Sequence, residues 1–261
     1  MIELELDIRT FWKVGSIHIS RGNKKLSRRV GNFNLPACRT CPFFGACRNY
    51  CYALKAEKWP FVTNCRWDNF WATRRSSFVD EMVALIIKMR LKVLRIHSSG
   101  DVYSIPYAKM WGEIARRLPN VRFYLYTKSI PYIKSLKGLQ NFTVIYSYGG
   151  KLDQLINPDV DDYARVVDSA ADVQPDEHLC TAVTPTTIES QKICGRACTY
   201  CHGEGQQVRV CFLKDLVGKN WKTNIQSPNQ HPNPPTPTPP PPPPTPLCAP
   251  SLTGIQISGG C

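Results

Sequence analysis

Apolar positions in the middle of the chain switch repeatedly between two periods. Trp71, Arg75, Phe78, Met82, Leu85, Ile86 and Met89 recur at three and four, which predicts an amphipathic helix over 69–90. Val93 to His97 reads as a strand that ends in Ser98-Ser99-Gly100-Asp101. Ser104 is placed to cap a helix with Pro106 in its first turn, and Trp111, Ile114, Ala115 and Leu118 mark its inward face. Val121–Tyr126 and Phe142–Tyr148 predict two more strands, with a short helix over Ile130–Leu139 between them. Asp159 or Asp161 is expected to start a further helix that turns Tyr163, Val166, Val167 and Ala170 inward. His178–Val183 reads as a strand, and Ser16–Ser20 as a candidate earlier one.

Strands that alternate with helices imply right-handed crossovers and a parallel sheet. The strands counted are too few for a closed eight-stranded barrel. The expected fold is α/β: a partial (β/α) barrel or an open parallel sheet, with cysteine-rich metal-binding segments at both ends. Ligands in such folds sit at the carboxyl ends of the strands, here His97–Asp101, Tyr126–Ser129 and Tyr146–Gly150.

Composition adds a boundary. Thirteen of the 22 prolines lie between Ser227 and Pro250, including an unbroken run from Pro239 to Pro244. Such a segment buries little, so residues 225–261 are expected to be a disordered proline-rich tail and residues 1–224 the folded domain. The acidic first residues lack a long apolar run, and Val83–Ile87 is too short to span a bilayer. The expectation is a cytoplasmic protein with no membrane partner.

Charge is uneven. Residues 1–150 carry 25 Lys and Arg against 9 Asp and Glu, whereas 151–261 carry 8 against 11. The basic half suggests an anionic partner such as nucleic acid, or a solvated basic surface.

The cysteines carry the chemical signal. Ten of the 12 fall into two groups: Cys38, Cys41, Cys47, Cys51 and Cys65, then Cys180, Cys194, Cys198, Cys201 and Cys211. Four thiols within residues 38–51 suit one ion or cluster, and Arg39 and Arg48 favour thiolates. One reading is a closed four-cysteine zinc site. The other is an iron–sulfur cluster, of four-iron type, held by Cys41, Cys47 and Cys51 with one iron open to a ligand. Cys38 and Cys65 are candidates for a fourth ligand. In the 180–211 knuckle, Cys180, Cys194, Cys198 and Cys201 read as a zinc site or a second cluster followed by a short hairpin. His202 is a substitute ligand and Cys211 is spare on an apparent strand.

The run Cys41-Pro…Cys47…Cys51-Tyr-Ala, then Arg95-Ile-His97-Ser-Ser-Gly100-Asp101, Trp111-Gly-Glu-Ile-Ala and Tyr126-Thr-Lys128-Ser resembles the phage gene product 88 family. That resemblance covers most of 33–215 and implies residence in a phage-infected or prophage-carrying cell, with no established chemistry. More distantly, the arrangement is similar to radical S-adenosylmethionine enzymes. In those, three cysteines after the first barrel strand bind a four-iron cluster, and an acid-tipped glycine turn after the second contacts the methionine amino group. The resemblance implies Gly100 and Asp101 at the methionine moiety of S-adenosylmethionine, Lys128 at its carboxylate, and an unknown further substrate. The cysteines here are spaced five then three residues, against three then two in that superfamily; the latter spacing occurs at Cys194, Cys198 and Cys201.

Each of the other candidates also has a plain reading. His97 is a base or ligand, or a histidine bonded to a local acceptor. Asp101 binds a cationic amine, or caps a turn. Lys128 meets an anion, or is solvated. Tyr124, Tyr126, Tyr146 and Tyr148 read as packing rather than as a base-stacking platform.

Overall fold

The computed structural model describes residues 16–22, 26–180, 194–195, 198–203 and 207–213. Eight strands form one sheet in the order β1-β2-β3-β4-β5-β6-β8-β7. They are β1 (Ile19–Arg21), β2 (Val30–Phe33), β3 (Val93–Ile96), β4 (Arg122–Thr127), β5 (Phe142–Ser147), β6 (Tyr163–Val167), β7 (His178–Leu179) and β8 (Arg209–Leu213). β1 pairs antiparallel with β2, and the other pairings among these eight strands are parallel. The sheet is open, with β1 and β7 at its edges. Among the described residues four α-helices accompany it: α1 (Tyr52–Ala56), α2 (Pro60–Ala72), α3 (Phe78–Lys88) and α4 (Ile105–Arg117).

Strand alternation places a core on each face. Leu94 and Ile96 of β3, Phe123 and Leu125 of β4, and Phe142 and Val144 of β5 join Met82, Ile86, Tyr107 and Trp111 from α3 and α4. The intervening Tyr124 and Ile145 turn the other way, to Leu26, Val30, Cys201 and Val210. A sheet buried on both faces lacks the polar-out pattern of a surface sheet, so its strands read as nearly continuous apolar runs.

Several expected elements hold. Ser104 caps α4, its side chain accepting from the Tyr107 N–H at 3.3 Å, with Pro106 in the first turn. Others are corrected. The helix expected over 69–90 is two helices, parted where Thr73 gives its hydroxyl to the Phe70 carbonyl and meets the Tyr103 hydroxyl. Ile130–Leu139 forms only a 3-10 turn at Ile130–Tyr132. The helix expected to bury Tyr163, Val166 and Val167 is instead strand β6: its β-branched residues extend when β5 and β8 supply partners on both sides. The apolar pattern does not predict β2, and β7 and β8 run parallel rather than as a hairpin. Residues 181–183 of the expected strand, and the proline-rich segment 225–261, lie outside the described residues. No helix among the described residues is long and apolar enough to cross a membrane.

Candidate functional site

β2 ends at Phe33, and the chain then runs straight into the first cysteine group. Long-range backbone bonds fix this segment over the carboxyl ends of β3 and β5. After β3, the Asp101 N–H donates to the Thr40 carbonyl at 3.2 Å and the Leu35 N–H to the Ser99 carbonyl at 2.9 Å. After β5, the Cys47 N–H donates to the Gly149 carbonyl at 3.3 Å and the Lys151 N–H to the Phe43 carbonyl at 3.0 Å. Close approach needs glycine here: a Cβ on Gly45 would lie 2.8 Å from the Gly150 carbonyl carbon. Gly100, at φ +80, has no room either, because a Cβ would meet Thr40 Oγ1 at 2.5 Å and Leu35 Cβ at 2.6 Å.

Asp101 ties β3 to β4. Its Oδ1 accepts from Thr127 Oγ1 at 2.6 Å and from the Val102 N–H at 2.7 Å, and its Oδ2 from the Lys128 N–H at 2.8 Å. Burial raises its pKa, and the three donors and the Lys128 charge oppose that rise. The Lys128 ammonium donates to Ser147 Oγ on β5 at 2.7 Å. The three strand ends expected to carry the site are thus linked by Asp101 and Lys128.

The thiols of this group act on one another. A hydrogen bond from Cys38 holds the Cys51 pKa down at about 6, aided by the Leu54 and Ala53 N–H groups. That bond, then burial and the neighbouring thiols, raise Cys38. Burial, then the Asp101 charge, raise Cys41. Burial raises Cys47 while Lys128 pulls it the other way. Cys65, on α2, is raised by burial and by Asp68, and the four other thiols are not among its influences. Among the described residues no three His, Cys, Asp or Glu side chains form a ready-made metal cage. The donor chemistry still fits a thiophilic centre. Cys51 is the thiol poised to ionise, the raised thiols of Cys38, Cys41 and Cys47 hold their protons until a cation supplies the opposing charge, and thiolates are the ligands that zinc and iron–sulfur clusters take.

His97 lies elsewhere. At φ +63 it is a non-glycine residue in left-handed backbone. Its ring packs near Phe33 and Tyr107, with Nε2 2.8 Å from the Tyr107 hydroxyl, and burial lowers its pKa to about 3. It is a neutral imidazole in the core beneath α4.

The second cysteine group rests on the sheet face opposite the helices. β8 inserts between β6 and β7, so the knuckle folds back over β4 instead of trailing behind the sheet. Tyr126 donates to Cys201 Sγ at 2.9 Å, and the Tyr124 hydroxyl lies 3.9 Å from Cys194 Sγ. Burial pushes Cys201 up to about 12, with Cys194, Cys180 and Cys198 adding to the rise. Cys198 Sγ lies 4.0 Å from His178 Nε2, whose ring stacks on Tyr200. His202 is buried against Tyr124, and burial lowers its pKa. Cys211 faces the other way, toward Glu177 and Arg165.

Sequence reasoning missed Arg95 and undervalued Tyr124 and Tyr126. Burial works against the Arg95 charge, but Tyr52, Tyr124, Tyr126 and Cys194 hold it, and its guanidinium lies 5.0 Å from the Tyr126 ring centre. Tyr52 follows Cys51 directly, so Arg95 stands between the two thiol groups. A cation inside the apolar strand Val-Leu-Arg-Ile was the available signal.

The gene product 88 family model matches residues 17–211, a span that includes β1 and all ten cysteines of the two groups. The Gene 88 protein of Mycobacterium phage L5 is 26% identical over 172 residues, covering 58% of this chain and 67% of that protein. The Gene 88 protein of Mycobacterium phage D29 is 25% identical over 170 residues, with the same coverage. No solved structure matches. With the family model running through both thiol groups and nearly the whole sheet, this chain belongs to the gene product 88 family.

Proposed function

We propose that this protein is an iron–sulfur enzyme of radical S-adenosylmethionine type. Cys41, Cys47 and Cys51 would hold a four-iron cluster, and Gly100, Asp101 and Lys128 would receive S-adenosylmethionine. The observation that carries this reading is the cysteine segment after β2, fastened over the carboxyl ends of β3 and β5. Asp101 and Lys128 there act electrostatically on Cys41 and Cys47. When bound, the cluster supplies one electron to the sulfonium compound. The protein's part is positioning. Gly100 lets the turn approach Thr40, Asp101 offers a carboxylate to an ammonium, and Lys128 offers a cation to a carboxylate. Cys38 steadies Cys51 through its hydrogen bond. The second group, Cys180, Cys194, Cys198 and Cys201, is assigned a structural zinc that ties the knuckle to β4.

Anaerobic reconstitution tests the reading. The protein should turn brown and take up about four irons at the first group, and Cys47→Ala should abolish that uptake. The reduced protein should cleave S-adenosylmethionine to methionine and 5′-deoxyadenosine, and Asp101→Ala should weaken its binding. Zinc alone, with no iron uptake, refutes the enzyme and leaves a zinc-stabilised module.

A further inference from the structure

α2 turns polar side chains inward. Its buried face carries Arg66 and Asn69 beside the core residue Ala72, followed by Thr73 just past its end. These polar groups serve irregular backbone that no strand ladder satisfies. Arg66 donates to the Ala53 carbonyl at 2.9 Å and to Glu57 at 2.8 Å. Asn69 accepts from the His18 N–H at 2.7 Å and donates to the His18 and Asn34 carbonyls at 3.0 and 2.9 Å. Packing thus accounts for the polar interior.

It does not account for the exterior. Trp59, just before α2, is 69% exposed, and Phe61 in its first turn 68%. Trp71 is exposed on the side opposite Asn69 and stacks on Trp67, ring centres 6.4 Å apart. Tyr52 and Leu54 of α1 are exposed as well. Large rings left this exposed on neighbouring elements mark a partner surface.

Charge selects the partner. Arg39, Arg48, Lys55, Lys58 and Arg74 are exposed, and none forms an ion pair among the described residues. The acids of this stretch are already engaged, Glu57 by Arg66 and Asp68 by His18. A second copy would set like charges against like, so self-association through this face is disfavoured. A partner with flat apolar faces and a regular negative backbone meets both requirements, which is the description of single-stranded nucleic acid.

We propose that α1, α2 and the turn between them form a docking strip for single-stranded nucleic acid, with Trp59, Phe61 and Trp71 as stacking rings and Lys55, Lys58 and Arg74 on phosphates. The strip starts beside Cys51, so the strand would run past the first cysteine group, but its binding does not depend on any cluster there.

The test uses the full chain and fluorescein-labelled oligothymidine of about 15 nucleotides, beside a duplex of equal length, followed by anisotropy over a salt series. The single strand should bind more tightly than the duplex. Trp59→Ala/Phe61→Ala should weaken it about tenfold or more while melting temperature and iron uptake match the wild type. Lys55→Gln/Lys58→Gln should reduce the slope of log affinity against log salt by about 0.7 for each phosphate no longer neutralised. Absent binding, equal duplex binding, or a double ring variant that binds like the wild type overturns the proposal. So does self-association that the ring variant abolishes, which would make the face a contact between copies. Iron counts on the same samples keep this result separate from the enzyme reading.

Discussion

Replacing Glu177 by glutamine should cost stability in a way that depends on pH. The Glu177 side chain is 1% exposed. Its Oε1 accepts from Arg165 Nε at 2.6 Å and from the Tyr163 hydroxyl at 2.9 Å, and its Oε2 from Arg165 Nη2 at 2.6 Å and the Gln174 N–H at 2.8 Å. The Arg165 hydrogen bonds, against the opposing effect of burial, hold its pKa at about 2 in place of an ordinary 4.5. A carboxylate whose folded pKa is depressed adds stability above its unfolded value and loses it as pH falls through the folded value. The difference between those values is worth ~3 kcal/mol at neutral pH. Glutamine keeps the shape but presents an amide N–H₂ to donors. Urea denaturation of wild type and Glu177→Gln should therefore differ by ~3 kcal/mol near pH 7, and the gap should narrow from about pH 5 toward pH 2. A gap that stays constant from about pH 7 to pH 3 refutes the assignment. Glu177 precedes β7, and β7 leads to Cys180, whose N–H donates to the Cys211 carbonyl at 2.9 Å. On the zinc assignment proposed above, Glu177→Gln should also hasten loss of that metal from the second thiol group, read with a chromogenic chelator.

Two other outcomes follow from the same geometry. Gly100→Ala forces a side chain into left-handed backbone against Thr40 and Leu35, so it should cost more than about 1 kcal/mol and lower the melting temperature; an unchanged melt contradicts the close approach. On the proposed metal assignment, Cys198→Ala should release zinc from the second group and reduce stability without changing iron uptake at the first; a fully stable variant that has lost this metal counts against a structural site.

Local pattern determined much of this protein. Period and capping chemistry act within a turn or two, so β3, the Ser104-capped α4, β4 and β5 are legible in the chain itself. The two thiol groups are equally legible, because cysteine spacing is a local property, and so is the placing of Gly100, Asp101 and Lys128 at strand ends. Tertiary structure decided the rest. Tyr163 to Val167 satisfies a helical spacing and becomes a strand only because β5 and β8 flank it. β2 is four residues with a glycine, and gains its identity from pairing with β3. The knuckle reaches the face of β4 because β8 enters between β6 and β7, a long-range choice of partner that no local period encodes. The aromatic exterior of α2 is likewise a tertiary outcome: unpaired backbone at residues 18 and 34 claims its polar side chains for the interior and leaves its rings outside.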